Sequence, residues 1–248
     1  MEINCINDYE AFIERLRNVI LDNIVGNYPD KTQDIDVTLE QREPFELTLT
    51  IKTVSEELET TFDCIDFINP FEDLIEWLEE LLKNQENKPL LLLGYGAWPP
   101  IVFFEPLLNE NKSGSLGYFS VYLVEDSKFV LGSRCNKSQL IESFYNAIVN
   151  CALESATNHD FIEMWIEDAY YNNKLEDKPL KEWARLFIEQ TRSPLIEEAI
   201  GKHDEFEVRC NDCLANIKEP ETKDIASAKI KADGKSILDA SITVKKSM

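Results

Sequence analysis

The spacing of apolar residues changes once along this chain, near Cys135, and that change limits the fold more than any other feature. Before Cys135, several short runs alternate apolar with polar residues, which is the pattern of strands with one buried face. After Cys135, apolar residues recur about every 3.6 residues, the period of an amphipathic helix. Strands followed by helices, without regular alternation of the two, predict an α+β fold with a mostly antiparallel sheet, packed helices and a helix-rich C-terminal half.

The length of the chain, 248 residues, fits one large domain or two small ones, and a hydrophobic content of 44% is enough for a core. We expect a single α+β domain over residues 1–248. Its natural subdivision would be a sheet-rich half, 1–134, and a helical half, 135–248, that ends in a hairpin. The sequence contains no internal repeat and no long linker, which favours the single domain.

Alternating and continuous apolar runs predict the strands of the first half. Ile35, Val37 and Leu39 alternate with polar residues, and so do the apolar residues from Phe45 to Ile51. This pattern predicts an antiparallel hairpin with its turn near Glu43–Pro44. Further strands are predicted at Thr60–Phe67, Pro89–Leu93, Ile101–Phe104, Tyr118–Val124 and Lys128–Leu131. The runs at 89–93 and 101–104 are continuous and therefore typical of central strands, and the last two predicted strands form a second hairpin.

Helical spacing and end signals predict the helices. They are expected at Asp8–Ile24, Pro70–Asn84, Leu140–Ala152, Phe161–Ala169, Pro179–Phe187 and Ser193–Gly201. Asn136 is a suitable N-cap for the third of these helices, Pro70 fits a first helical position, and Gly201 fits a helix end. Asp233–Gly234 is the dipeptide preferred in tight two-residue turns, so it predicts the hairpin in the tail.

The charge of the chain restricts its partners. Acidic residues number 47 and basic residues 25, and the net charge is -22. Such an excess repels nucleic acid and anionic lipid, because phosphate binding needs clustered Lys and Arg. The chain opens without a basic, apolar leader, and its longest uncharged stretch, Pro89–Phe104, contains two Gly and two internal Pro and is too short to span a bilayer. We therefore expect a cytoplasmic protein without nucleic-acid or membrane partners, and the sequence leaves its oligomeric state open.

One motif resembles the zinc site of nucleobase deaminases. His203 and Glu205 are followed by Cys210 and Cys213, and in that chemistry one His and two Cys hold zinc while a Glu transfers protons. The deaminase motifs open separate helices with a strand between them, whereas here only residues 206–209 separate them. No fourth ligand is near in sequence, so we expect a surface turn with free thiols, no metal and no cofactor.

Other candidate catalytic sets fail for local reasons. His159, Glu163 and Glu167 line one helix flank, where charged residues are ordinary. Gly94–Gly96 and Ser113–Gly117 lack the following helix that a phosphate loop or a nucleophile elbow needs. Asp36 and Glu46 suggest the paired acids of a nuclease, but Thr48 stands where the catalytic Lys is required. The chain therefore shows no catalytic residue set, which favours a function other than catalysis.

The helix predicted from Pro70 carries charges of one sign on its outer face. The window Val54–Glu86 holds eleven acids and a single base, Lys83. Projected at about 100° per residue, the helix places its apolar residues on one arc and its acids on the opposite arc. The predicted partner-binding residues are Glu72, Asp73, Glu76, Glu79 and Glu80, with Trp77 at the border of the face. An ordinary amphipathic helix with a solvated outer face is one interpretation. Exposed faces ordinarily mix Glu with Lys, however, so the single sign of charge favours a basic protein partner as the other.

Two segments resemble a recurring arrangement in poorly characterised, acidic bacterial proteins. The segments are Asn69–Glu80 and Ser138–Tyr145, and together they cover about the middle third of the chain. Some acidic proteins of this kind resemble immunity proteins of toxin systems. The resemblance implies a role in binding and neutralising a basic toxin, and it carries over no individual functional residue.

Two functions from different classes follow from the sequence. The first is an acidic protein-binding module, in the form of an immunity protein that buries the active surface of a basic toxin. Charge complementarity would speed its association. The alternative is an enzyme of unknown substrate that binds a metal through clustered carboxylates or through Cys210 and Cys213. A toxin gene directly upstream would favour the first function.

The six cysteines are predicted to be free thiols. They are scattered through a long chain without a secretory leader, which is typical of a reducing compartment. Thiol counting in freshly lysed cells, under denaturing and non-reducing conditions, should therefore find six per chain. A count of about four or fewer would contradict the assignment to a reducing compartment.

Overall fold

A computed structural model gives the fold of the chain. It describes residues 11–12, 14–16, 18, 32–43, 46–54, 57–63, 70–83, 90–91, 100–107, 115–123, 128–158, 160–162, 179–218, 231–232 and 235–236. The strands are β1 Asp36–Glu43, β2 Glu46–Lys52, β3 Glu57–Asp63, β4 Leu90–Leu91, β5 Pro100–Pro106, β6 Leu116–Leu123, β7 Lys128–Asn136, β8 Lys231–Ala232 and β9 Lys235–Ser236. The helices are α1 Pro70–Lys83, α2 Lys137–Thr157, α3 Leu180–Gln190, α4 Pro194–Ile200 and α5 His203–Asn216. Residues 11–18 and 160–162 are also helical where they are described.

The first sheet has the order β1-β2-β3, and both of its pairings are antiparallel. Val37, Leu39 and the β2 residues Leu47, Leu49 and Ile51 point into the core. Helix α2 packs against β1, and the backbone N–H of Val37 donates to Ser143 Oγ at 3.1 Å. The predicted hairpin is therefore confirmed. Its other face is not uniformly exposed to solvent, because Thr48 is also buried.

The second sheet has the order β4-β5-β6-β7 and is antiparallel at every described pairing. One face contributes Val102, Phe104 and Phe119 to the main core. The opposite face contributes Ile101 and Phe103 to a second cluster with Leu16 and Tyr122. The continuous apolar run of β5 is thus explained by burial on both faces. The other continuous run forms β4, which lies at an edge of the described sheet instead of at its centre.

Helix ends follow the signals in the sequence. Asn136 caps α2, because its Oδ1 accepts from the backbone N–H of Ser138 at 2.9 Å. Ser193 caps α4, Pro194 opens it, and Gly201 ends it in the left-handed region with φ 71°. These are positions where a short polar side chain, a fixed φ and a missing Cβ are each favourable.

The main core joins both larger sheets to the helices through aromatic contacts. The ring centroid of Phe144 on α2 lies 5.3 Å from that of Trp77 on α1 and 5.9 Å from that of Phe119 on β6. Phe187 of α3 lies 5.6 Å from Phe71 of α1. The fold is α+β, as predicted, with a long central helix buried between the first sheet and the other helices. The division into halves at residue 134 stays a prediction.

Several boundaries differ from the predictions. Strand β3 begins at Glu57 instead of Thr60, and β7 extends to Asn136. Leu116 and Gly117, predicted in a loop, lie in β6. The two short tail strands pair antiparallel around 233–234, as the turn dipeptide predicts. The predicted turn at Glu43–Pro44 and most of the helix predicted at Phe161–Ala169 lie outside the described residues.

Gly117 is a position where the packing excludes a side chain. A Cβ at this position would lie 2.7 Å from the backbone oxygen of Glu105 and would also collide with the ring of Phe104. We expect Gly117→Ala to lower the free energy of unfolding by about 1–3 kcal/mol, because the added methyl group collides with the buried Phe104 ring and with a backbone atom that cannot move aside cheaply. Urea unfolding would measure the loss. In the double variant with Phe104→Leu, the cost of the added methyl group should shrink, and strict additivity would contradict the proposed clash.

Candidate functional site

The outer face of α1 presents carboxylates to solvent. Glu72, Asp73 and Glu76 are exposed, whereas the opposite face of the helix is buried. Within the described part of the chain, Asp73 and Glu76 are not seen in an ion pair with a basic side chain. Burial raises the pKa of Asp73, and repulsion from Glu72 and then from Glu76 raises it further. Glu72 and Glu76 are therefore close enough to Asp73 to destabilise its charge, which a cationic group outside the chain would relieve.

Glu79 and Glu80 are less exposed than the three acids before them. Both carboxylate oxygens of Glu79 are occupied: Oε2 pairs with Lys83 Nζ at 2.7 Å, and Oε1 accepts from Ser193 Oγ at 2.7 Å. The bond to Lys83, followed by that to Ser193, lowers the pKa of Glu79. The structure thus brings Glu72, Asp73 and Glu76 together as an outward surface and turns Glu79 toward α4. We call these three residues the acidic surface.

Trp77 is not at the border of the acidic surface, and this part of the prediction is corrected. Its side chain is 4% exposed, and its ring stands edge-on to Phe144 of the central helix. Because α2 covers the border of α1 on that side, the indole lies in the core and cannot anchor a partner. A projection of α1 alone does not show where α2 crosses it.

A buried carboxylate, that of Glu197 on α4, is the centre of a polar network behind α1. The residue is 0% exposed. Its Oε1 accepts from Tyr145 OH at 2.8 Å and from Arg192 Nε at 2.7 Å. Its Oε2 accepts from Arg192 Nη2 at 2.6 Å and forms a 2.8 Å hydrogen bond with His203 Nδ1. The charge is thus both paired and fully hydrogen-bonded, which is the condition for burying it.

The same network connects α4 to three other helices. Arg192 reaches Glu207 of α5 through Nη1 at 2.7 Å. The backbone N–H of Ser193 donates to Tyr145 OH of α2 at 2.7 Å, and Ser193 Oγ donates to Glu79 of α1. A chain of hydrogen bonds therefore runs from the acidic helix to the buried carboxylate. We call Glu79, Ser193, Tyr145, Glu197 and Arg192 the buried network.

The described thiols are poor candidates for redox or metal chemistry. Cys135, Cys151, Cys210 and Cys213 are free. Burial raises the pKa of Cys135 and of Cys151 to about 12, and it also raises the pKa of Cys210 and of Cys213. A reactive thiol needs the opposite shift. Among the described residues, no group of three or more His, Cys, Asp and Glu side chains is placed to hold a metal ion.

The segment from His203 to Cys213 forms a helix, which corrects the predicted surface turn. It lies within α5, whose buried residues are Phe206, Cys210 and Leu214. His203 opens the helix and contacts Glu197, whereas Cys213 donates weakly to the backbone oxygen of Leu153 at 3.4 Å. The His and Cys side chains of the motif therefore serve different contacts. His159, Glu163, Glu167 and the Gly94–Gly96 loop lie outside the described residues.

The sequence carries little signal for the buried network. On α4, Glu197 is buried while Leu195 is 40% exposed, the reverse of what residue type predicts. The partner that fixes this orientation, Tyr145, is 52 residues away in the chain. An Arg followed by a capping Ser-Pro is a local sign of the helix start, but it does not identify Glu197 as the acceptor.

Comparisons with known proteins give no relative: no family model, no curated protein and no solved structure matches the chain. A search of the described helices for a membrane-crossing segment finds none of sufficient length and apolarity. The site is therefore interpreted from its own geometry.

Glu197 should be the most sensitive polar position of the fold. We expect Glu197→Ala to lower the free energy of unfolding by about 3–5 kcal/mol, because the partly buried Arg192 guanidinium loses its buried partner and keeps only the exposed Glu207. Glu198→Ala is the matched control on the same helix, exposed, with an expected effect within about 0.5 kcal/mol. Chemical denaturation of both variants measures the difference, and equal losses would contradict the assigned role.

The contribution of Glu197 should also depend on pH. Burial alone would raise the pKa of this carboxyl, but hydrogen bonds from Arg192, Tyr145 and His203 outweigh burial and hold the pKa below its ordinary 4.5. A lowered pKa in the folded state stabilises the fold above the ordinary value and loses that effect as the pH falls through the folded-state value. The stability difference between the wild type and Glu197→Gln should therefore shrink between about pH 5 and pH 3. A constant difference would contradict it.

Proposed function

We propose that this chain is a protein-binding module that recognises a basic protein through the acidic surface of α1, in the manner of an immunity protein that neutralises a toxin. The observation that carries the proposal is the grouping of Glu72, Asp73 and Glu76, with the pKa of Asp73 raised by burial and by its acidic neighbours. Repulsion of Asp73 by its acidic neighbours raises the free energy of the unbound protein. A cationic partner would remove that repulsion, and the free energy recovered would strengthen binding.

The charge of the whole chain supports the same proposal. A net charge of -22 attracts basic proteins over distances comparable to the Debye length and speeds their encounter. The rigid packing of α1 against α2 and α4 supports it too, since a fixed surface loses less entropy on binding. Two segments resemble stretches of poorly characterised acidic bacterial proteins, some of which resemble immunity proteins, and this favours an inhibitor as the form of the function. The protein would then act in the cytoplasm, where its thiols stay reduced.

No observation favours the alternative of a metal- or thiol-dependent enzyme. The pKa of each described thiol is raised, so the nucleophilic thiolate is disfavoured. The carboxylates of α1 belong to neighbouring turns of one helix, and within the described part of the chain they form no group with His or Cys that could hold a metal ion.

The test compares two charge-reversed variants with equal net charge. The first changes Glu72, Asp73 and Glu76 to Lys. The matched control changes Asp204, Glu205 and Asp212 to Lys, three exposed acids of α5. We expect wild type and control to capture the same basic protein from a lysate of the source cells. The α1 variant should associate with it about tenfold more slowly at low salt, with a weaker dependence on ionic strength.

Lysozyme, a basic protein of unrelated surface, serves as a probe of net charge alone. Its association should slow to the same extent for both variants, because it senses only the overall field. Circular dichroism and chemical denaturation must show that each variant is folded. If both variants lose the captured protein equally, or neither does, the acidic surface is an ordinary solvated helix face and the proposed function is wrong.

A further inference from the structure

The carboxylate of Glu79 is engaged at both of its oxygens. Lys83 Nζ and Ser193 Oγ each lie 2.7 Å from one of its oxygens. A group that binds a partner must exchange its existing contacts for new ones, and Glu79 would have to release both. Its position therefore suits an internal role better than a contact role.

The bond to Ser193 attaches α1 to buried polar atoms that are themselves hydrogen-bonded. Ser193 is 1% exposed, and its backbone N–H is held by Tyr145 OH, which in turn donates to the buried Glu197. The same Ser193 Oγ accepts from the backbone N–H of Ile196 at 3.3 Å and so caps α4. One hydroxyl thus joins the C-terminal half of α1 to the start of α4.

We propose that Glu79 is a positioning residue for the acidic surface, and that its hydrogen bond to Ser193 holds the C-terminal half of α1 rigid so that Glu72, Asp73 and Glu76 meet a partner in a preorganised arrangement. The inference rests on the proposed function for the identity of the surface. It goes further in assigning Glu79, predicted as a contact residue, to the support of that surface, together with Ser193, Tyr145 and Glu197.

A support role and a charge role have different kinetic signatures. Charges on the surface govern encounter, so their loss slows association and changes its salt dependence. A rigid surface loses little conformational entropy when the complex forms. A more mobile surface loses more, which weakens the complex mainly by speeding dissociation. Ser193→Ala separates the two, because it removes the bond to Glu79 without changing the charge of the chain.

The experiment removes the Ser193–Glu79 hydrogen bond by substituting either partner. It compares the result with a substitution at the other end of α4. Ser193→Ala removes the bond from α4, and Glu79→Ala removes it from α1. Gly201→Ala is the matched control: it strains the other end of α4, where φ is 71°, without touching α1. Ser193→Thr retains a hydroxyl and serves as the conservative rescue. Amide hydrogen exchange of α1, and association and dissociation with the basic protein captured by wild type, are measured for each variant.

We expect both Ser193→Ala and Glu79→Ala to raise amide exchange in the last turns of α1 about fivefold, the factor that corresponds to one ordinary hydrogen bond. Ser193→Ala should also dissociate about fivefold faster with an unchanged salt dependence of association. Gly201→Ala and Ser193→Thr should leave both quantities near wild type.

The outcomes separate this inference from the proposed function. If the two bond-breaking variants leave α1 exchange unchanged, or if Gly201→Ala raises it equally, Glu79 does not position the surface and the inference is wrong. If exchange rises while dissociation of the captured protein does not, the rigidity has no role in binding and the inference is again wrong. If wild type captures no basic protein, the proposed function fails, while the exchange measurement still decides whether Glu79 holds α1.

Discussion

The packing of the helices depends on the burial of one carboxylate. Glu197 has no exposed surface, and an ion of this kind costs several kcal/mol to bury unless other groups replace its hydration. The replacement comes from three parts of the chain at once: Arg192 before α4, Tyr145 of α2 and His203 of α5. None of these elements can shift without exposing the charge or breaking a bond to it. The relative positions of α2, α4 and α5 are therefore fixed by direction-dependent contacts in addition to hydrophobic packing. Ser193 extends these contacts to α1 through its hydrogen bond to Glu79.

The buried acid and the acids of the acidic surface are balanced differently. The buried acid is paired with Arg192, whereas Asp73 and Glu76 of the acidic surface are without an ion pair in the part of the chain that the structure describes. Several described basic side chains make contacts elsewhere: Lys83 with Glu79, Lys202 with Glu142 and Arg209 with the ring of Phe206. These basic side chains are thus engaged in contacts within the chain, and the outer face of α1 stays negatively charged. A surface of this kind raises the cost of the free state and lowers that of a complex with a cation.

Local signals in the sequence predict helix ends and hairpins. Predictions of which side chains are exposed are wrong where residues distant in the chain cover them. The ends of α4 follow from Ser193, Pro194 and Gly201, and the first hairpin follows from strict alternation, because both depend on neighbours in the chain. Helix α5 was hidden by its polar composition: Phe206, Cys210 and Leu214 recur every four residues, but most residues between them are polar or charged. The site was predictable only in part. The acidic surface is a property of one helix, whereas the burial of Trp77 and the engagement of Glu79 are set by α2 and α4.

The loss of Trp77 as a contact residue changes the kind of complex that the acidic surface can form. Among the described residues, the exposed large apolar side chains are Val54, Leu195 and Val208, and none is aromatic. Interfaces obtain most of their binding energy from a few buried anchors, commonly Trp, Tyr and Arg. If α1 offers carboxylates and no aromatic anchor, the anchors of a tight complex must come from the partner. Arginine fits this role better than lysine, because its planar guanidinium binds a carboxylate through two hydrogen bonds and packs its flat face on apolar surface. If the proposed basic partner exists, a contact surface rich in Arg therefore fits the acidic surface best.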